Sequence, residues 1–506
     1  MKIDLQIYDV DKYLMDLDTY GMEEVWKSIL NYISEHGNIF EVFNIDNFGY
    51  LYEMGLAHLN KDSKKKNGCY YTPKDVSNLL ADFFVDLDGD TICDVGCGVG
   101  NLTLAYLEKL GRDEARNLIL NEKLYLYDID SCALNICKYS IGILYGLDVM
   151  EKIHIVNADF LDKSITLPVN AKVISNPPYF KIDKIQETWE DSEVIKDTKE
   201  YYSSFMEKII LNSVSSVIIT SYSFISGEKF YSLRKQLNNY GGSIYSFDNV
   251  PGSIFKGKKH GVFNTNTVNS VRAAITVIDN HQKGFKISPL IRFKNESRDR
   301  VLNKDYLISL LSDTYQFISK DNKSYYKCFK ELEPVNQTWV TGSNKRLKDL
   351  LVKDKTDYAV TFVNTCRYVT TASRRDLSRT GKYCLYMRDR ETYDYVYAFL
   401  NSSFTYWYWR MYDGGITYAR QLLESLPVFY SKFTPEDLSK LHEIVQKMEG
   451  CEEKNLVYKK NSGVEQENIN FPDIYRNKLD DLFLRVLGLD VTHEIFTKLH
   501  SNNILD

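Results

Sequence analysis

Residues 91–100 read T-I-C-D-V-G-C-G-V-G, a short apolar run that ends in an acid and three glycines. A strand, a glycine-rich turn and a following helical pattern let backbone approach a ligand closely and present amide donors at a helix N-terminus. Many nucleotide-binding folds carry something similar, so the neighbours must narrow the reading. Apolar strand candidates at 91–95, 124–128, 153–156, 172–175, 216–220 and 273–278 alternate with helical stretches such as 73–84. That alternation predicts an α/β fold with a doubly wound, mostly parallel, Rossmann-like sheet.

In such sheets ligands bind at the carboxyl ends of the strands. The first end supplies Asp94, Gly96, Gly98 and Gly100 as candidate cofactor contacts. The second ends in L-Y-L-Y-D-I-D-S, where Asp128 can accept from both hydroxyls of a ribose; Asp130 reads as a helix cap, with Ser131 its rival. V-N-A-D-F closes the third. There Asp159 can accept from an exocyclic amine and Phe160 can lie on a purine, although a turn Asp and a core Phe are the plainer alternatives. The fourth strand runs into S-N-P-P-Y-F (175–180), in which two prolines stiffen the loop and push Asn176 towards an extended conformation. A rigid structural turn is the competing reading.

Bulk properties set outer limits. The chain has 506 residues, a formal net charge of −6, 44% hydrophobic and 26% charged residues, and nine scattered cysteines. No global positive field draws it to nucleic acid, so any such binding must rest on local patches. The cysteines read as reduced thiols, no metal site is expected, and no stretch approaches membrane-spanning length; the expectation is a cytoplasmic protein without membrane contact. Four regions are expected: an N-terminal helical segment (1–66), a catalytic domain (67–285), a mixed α+β target-recognition domain (286–430) and a helical C-terminal region (431–506).

Y-Y-T-P (70–73), D-V-G-C-G-V-G (94–100), S-N-P-P-Y-F (175–180) and E-Y-Y-S-S-F-M-E-K (200–208) occur in that order. In this order they resemble the gamma-class, S-adenosylmethionine-dependent DNA adenine-N6 methyltransferases of restriction–modification systems. The resemblance covers roughly residues 45–280. It implies S-adenosylmethionine as cofactor, with Tyr71, Thr72, Pro73, Asn176 and Phe205 among its contacts, and Asn176, Pro177, Pro178 and Tyr179 as the catalytic loop. It further implies methylation of a swung-out adenine in double-stranded DNA, with a cognate restriction endonuclease acting on the same site as a candidate partner; a monomer is expected.

The chemistry suits the loop. An exocyclic amine is a poor nucleophile because its lone pair is delocalised into the ring. Acceptors at the Asn176 side-chain oxygen and the Pro177 carbonyl, one on each hydrogen, favour a pyramidal nitrogen and strengthen as positive charge develops. Tyr179 offers a stacking face. The resemblance implies a second face opposite it in a segment after the sixth strand, and G-S-I-F-K-G-K-K-H-G-V-F (252–263) fits by position, with Phe255 favoured over Phe263, Lys258 and Lys259 near phosphates, and a core Phe as the alternative. The densest basic stretch, T-C-R-Y-V-T-T-A-S-R-R-D-L-S-R-T-G-K-Y (365–383), makes Arg367, Arg374, Arg375, Arg379 and Lys382 candidate DNA contacts, a solvated basic face being the alternative. An RNA or protein-glutamine methyltransferase, or a non-catalytic DNA-binding module, are the rival functions.

Overall fold

Strand β1 (Thr91–Val95) is buried at every residue and lies inside an eight-stranded sheet. The computed structural model describes residues 72–256, 271–415, 417–461 and 463–506. The expected N-terminal helices, Tyr71, Lys258, Lys259 and Phe263 lie outside the described residues. The chain divides into two compact units, Met1–Tyr325 and Tyr326–Asp506.

In the first unit, helix α1 (Lys74–Phe84) precedes β1, and β2 (Leu124–Asp128), β3 (His154–Asn157), β4 (Ala171–Ser175), β5 (Ser215–Ser221), β6 (Gly241–Phe247), β7 (Ala273–Asp279) and β8 (Gly284–Ile291) complete the sheet in the order β3-β2-β1-β4-β5-β7-β6-β8. β1 to β5 run parallel, and β7 inserts antiparallel between β5 and β6. Helix α2 (Asn101–Leu110) follows the glycine turn, and α3 (Ser131–Tyr145) follows β2. Asp130 caps α3, its carboxylate accepting from the Cys132 and Ala133 amides as the sequence suggests. Helix α4 (Tyr201–Asn212) packs its buried face, including Phe205 and Met206, on the core.

The strand order reverses between β1 and β4, so their carboxyl ends flank a switch point, the usual ligand crevice of an open α/β sheet. The Ser175 hydroxyl donates 2.6 Å to the Val95 carbonyl and ties those two ends together.

Two strands escape apolar patterning. β6 opens on Gly241-Gly242 and carries serines among its apolar residues. β8 contains Pro289, which argues against a central strand; the structure puts it at the sheet edge, where its pairing to β6 shifts register between Ile244 and Ser246. The domain boundary expected at 285 therefore falls inside β8, and the first unit extends to Tyr325.

The second unit mixes short strands with helices. Ala372–Ser373, Ala359–Val363 and Lys382–Tyr386 form a three-stranded antiparallel sheet. Helix Ser403–Tyr412 buries Tyr406, Trp407 and Trp409 in the core of this unit. The region from 431, expected to be helical, also contains two strands. Helices Pro435–Glu449 and Asp473–Val486 flank a hairpin of Leu456–Asn461 and Val464–Ile469. L-V-Y-K-K-N and V-E-Q-E-N-I are too polar to announce a buried strand face by alternation.

Candidate active site

Three chain segments meet at the β1–β4 crevice. Gly96 and Gly98, with φ of 71° and 53°, take the left-handed backbone that a side chain would resist, and turn the chain from β1 towards α2. A Cβ at Gly96 would stand 3.8 Å from both the Asn176 backbone oxygen and the Phe205 ring, whereas one at Gly98 would meet nothing within 4 Å. The turn thus abuts the Asn-Pro-Pro-Tyr loop on one side and leaves space on the other. Gly100 serves packing: a Cβ there would fall 2.3 Å from the Cys137 sulfur on α3.

Asp128 places its carboxylate beside this space. One oxygen accepts from the Gly98 amide at 2.8 Å and the other from the Asp130 amide at 2.9 Å, which orients both and leaves each a lone pair. Burial raises its pKa. Asp94 does something different from the expected cofactor contact. Its Oδ2 accepts from the Thr103 amide at 3.1 Å and hydroxyl at 2.6 Å, bracing α2 behind the turn, and the residue is fully buried. That burial pushes its pKa up to about 7. Asp94 thus shapes the loop through Oδ2, while its buried Oδ1 has no hydrogen-bond partner among the described residues.

Asp159 is already engaged. Its Oδ2 accepts from Trp189 Nε1 and the Tyr201 hydroxyl, both at 2.9 Å, and its Oδ1 accepts from the Leu161 amide at 3.0 Å. The Phe160 and Phe205 rings pack at 5.1 Å between centroids, too close to admit a purine between them. Tyr201 touches Phe205 at 5.7 Å and Trp189 at 5.3 Å. Trp189 and Tyr201 were not expected here, although Tyr201 stands one helical turn before Phe205, a spacing that puts both on one face of α4. Trp189 lies in a polar stretch with no periodicity to announce it.

The catalytic-loop candidates converge. Asn176 Nδ2 donates 2.8 Å to Thr72 Oγ1, so its Oδ1 is the atom left facing the other way. The Tyr179 hydroxyl lies 2.9 Å from that Oδ1 and 2.8 Å from the Ile219 carbonyl, and its single proton serves one of them at a time. Thr72 is buried, and Pro73 stands at the N-cap of α1, so the Thr-Pro segment is the hinge between that helix and Asn176. Phe255 meets Tyr179 edge-on, with centroids 6.0 Å apart and planes at 67°. The resemblance pairs these two rings as opposing faces; in the structure they meet edge to face.

The basic stretch of the second unit is largely consumed by the protein itself. Arg374, whose side chain is 6% exposed, pairs with Asp394 and Glu449 and lies over the Tyr393 and Tyr397 rings at 4.3 and 4.8 Å. Its expected DNA contact is corrected to a buried structural one. Arg379 donates to Asn468, to Thr365 Oγ1 at 2.7 Å and to the Gly381 carbonyl at 3.1 Å. Lys382 pairs with Asp376 at 2.5 Å. Arg367 and Arg375 are the exposed members. Among the described residues no cluster of His, Cys, Asp or Glu is placed to hold a metal, and no helix is long and apolar enough to cross a membrane.

A parallel sheet with a glycine turn at its switch point and an Asn-Pro-Pro-Tyr loop against that turn defines an amino-methyltransferase type of site. Residues 43–307, just over half the chain, match the family model described as N-6 DNA Methylase, and the protein belongs to that family. It is 31% identical over 151 residues to the type I restriction enzyme MpnII methylase subunit of Mycoplasma pneumoniae, covering 28% of this chain and 27% of that one. Over 201 residues it is 28% identical to the type II methyltransferase M.PstI of Providencia stuartii, covering 37% and 39%. The matched stretch thus spans between about a quarter and two fifths of these relatives. The crystal structure of the type I EcoKI M protein superposes with a TM-score of 0.34 at 12% identity, over 65% of this chain and 72% of that one.

Proposed function

We propose that this protein is a site-specific DNA methyltransferase that moves a methyl group from S-adenosylmethionine to the N6 amine of an adenine swung out of double-stranded DNA, as the modification enzyme of a restriction–modification or related defence system. The observation that carries this reading is the position of Asn176: its amide NH2 is anchored on Thr72, its backbone lies against Gly96, and its Oδ1 faces the Tyr179 side.

The residues present fit the cofactor. Gly98 leaves space where a ligand backbone or sugar can lie, and Asp128 keeps lone pairs for two ribose hydroxyls. Asp159 has less capacity than expected, since its Oδ2 already takes two donors, so its Oδ1 is the acceptor for an adenine amine. Phe160 or Phe205 offers an outer face to the ring. S-adenosylmethionine, when bound, supplies an electrophilic methyl on sulfur.

The protein's own part is positioning and charge stabilisation. Thr72 selects the orientation of the Asn176 amide, because the NH2 end is consumed and the acceptor end must point towards the base. Asn176 Oδ1 and the Pro177 carbonyl each take one hydrogen of the target amine, and both bonds strengthen as the nitrogen becomes cationic. Tyr179 stacks on the base once its hydroxyl turns from Asn176 Oδ1 to the Ile219 carbonyl, 2.8 Å away. No strong base is required, since the methylated ammonium is acidic enough to lose its proton to water. The partner is double-stranded DNA, with Arg367 and Arg375 the exposed cations of the basic stretch.

Incubating the protein with S-adenosylmethionine carrying a labelled methyl and with unmethylated DNA, RNA and bulk protein tests this. Label in N6-methyladenine of DNA is expected; label confined to RNA or protein overturns it.

A further inference from the structure

We propose that Arg298 is a positioning residue that couples the two sides of the target-base slot, the Thr72–Asn176 side and the Phe255–Tyr179 side; this rests on the methyl-transfer reading above. Arg298 follows β8 on a short helix, Arg298–Val301, remote in sequence from every motif of the site. Its side chain is 3% exposed. On one side its Nε and Nη2 grip Asp75 at 2.5 and 3.0 Å, a bidentate pair. Asp75 stands in the first turn of α1, three residues after Thr72, and its Oδ1 also accepts from the Val76 amide at 2.9 Å. Thr72 stands just before that turn, ahead of the N-cap Pro73, and Thr72 holds Asn176.

On the other side Arg298 Nη1 donates 2.9 Å to the Ser253 carbonyl and Nη2 donates 2.7 Å to the Ile254 carbonyl. These are the two residues directly before Phe255, whose ring edge meets Tyr179. One guanidinium therefore fixes the helix that orients the acceptor amide and the short turn that carries the opposing aromatic. The same loop is pinned at its start by Asp248, which is buried and accepts from Arg272 Nε at 2.9 Å and Arg292 Nε at 2.8 Å.

The geometry has a consequence for the reaction. With Phe255 edge-on to Tyr179 at 6.0 Å, the slot as it stands is closed to a purine, and a shift of the 253–255 turn that carries Phe255 opens it. Since Arg298 holds that turn and α1 together, the shift is transmitted towards Thr72 and Asn176. A planar fork is needed for this: lysine keeps the charge but presents a point donor that cannot serve a carboxylate and two carbonyls in fixed directions.

The test compares wild-type protein with Arg298→Lys and Arg298→Met. Hydrogen exchange of segments 74–84 and 253–256, measured without DNA, is expected to rise together in both variants. Methyl transfer to unmethylated DNA is expected to fall about 10²-fold in kcat for Arg298→Met. S-adenosylmethionine affinity should shift less than about twofold, and kcat and kcat/KM for DNA should fall together, the mark of a loss confined to the transition state. Arg298→Lys, which keeps the charge beside Asp75, should recover part of the melting temperature lost in Arg298→Met without restoring turnover. Turnover that recovers along with stability in Arg298→Lys overturns the proposal, as does exchange that rises in only one segment. If wild-type protein transfers no methyl to DNA, it is the methyl-transfer reading that fails, and the exchange comparison still decides the coupling.

Discussion

The crevice at β1 and β4 and the basic stretch at 365–383 both announce themselves in the sequence, and the structure treats them in opposite ways. At the crevice, the ends of β1 and β4 and the segment before α1 converge: Gly96 lies against Asn176, and Asn176 is held by Thr72. In the basic stretch, Arg374 is turned inward onto Asp394 and Glu449, while Arg379 and Lys382 bond to neighbouring loops. The difference teaches that motifs defined by backbone position keep their meaning on folding. A count of charges does not, because each cation is satisfied by whichever carboxylate the fold brings near.

The comparison breaks first at Asn176. Asn176→Ala should lower methyl transfer by about 10²–10³-fold, the scale for deleting one preorganised transition-state contact. Calorimetric titration should show S-adenosylmethionine binding nearly unchanged; near-normal turnover would sink the amide's role. Arg374→Ala comes next and should act on stability. Removing one member of a buried ion pair costs about 3–5 kcal/mol, because the partner charge is stranded. Denaturant unfolding of the variant should show that loss; unchanged stability with weakened DNA binding would restore the arginine to the interface.

Two buried carboxylates sharpen the comparison through pH. Asp94 in the first unit accepts from the Thr103 amide and hydroxyl, and Asp480 in the second accepts from the Ser403 amide and hydroxyl. Burial raises each from an ordinary value of 3.8 to about 7. The native state then holds protons that the unfolded chain releases, so stability is full below about pH 4 and falls as pH rises to about 7, where it levels. Asp94→Asn should flatten that fall in urea titrations at pH 5 and 8 through the first unit, and Asp480→Asn through the second. A slope unchanged in both variants would contradict the assignment.

The smallest effect belongs to Arg375. Exposed, it should leave stability within about 0.5 kcal/mol when changed to alanine. If it touches a phosphate, the salt dependence of DNA binding should lose about one unit of slope. An unchanged slope places the interface elsewhere.

How far the sequence could be read follows from the same contrast. The alternation of β1 to β5 and β7, the Asp130 cap and the glycine turn were legible because apolar period and turn chemistry are local. β8 was hidden by Pro289, which only an edge position explains. The Asp159 cluster with Trp189 and Tyr201, and the link from Arg298 to Asp75, were hidden for another reason: they join residues tens to hundreds of positions apart by hydrogen bonds with no periodic trace. The brace from Asp94 to Thr103 was hidden too, because a strand-end acid can face a ligand or hold the helix behind the turn, and sequence does not tell the two apart.

Mapping modified bases in DNA from cells that express the protein, beside cells that express Asn176→Ala, tests the central claim most directly. N6-methyladenine at one recurrent sequence with the wild-type protein, and its absence with the variant, is the predicted result. Adenine methylation at the same sites in both, or in neither, would contradict an amide on the strand-end loop as the group that activates the target amine.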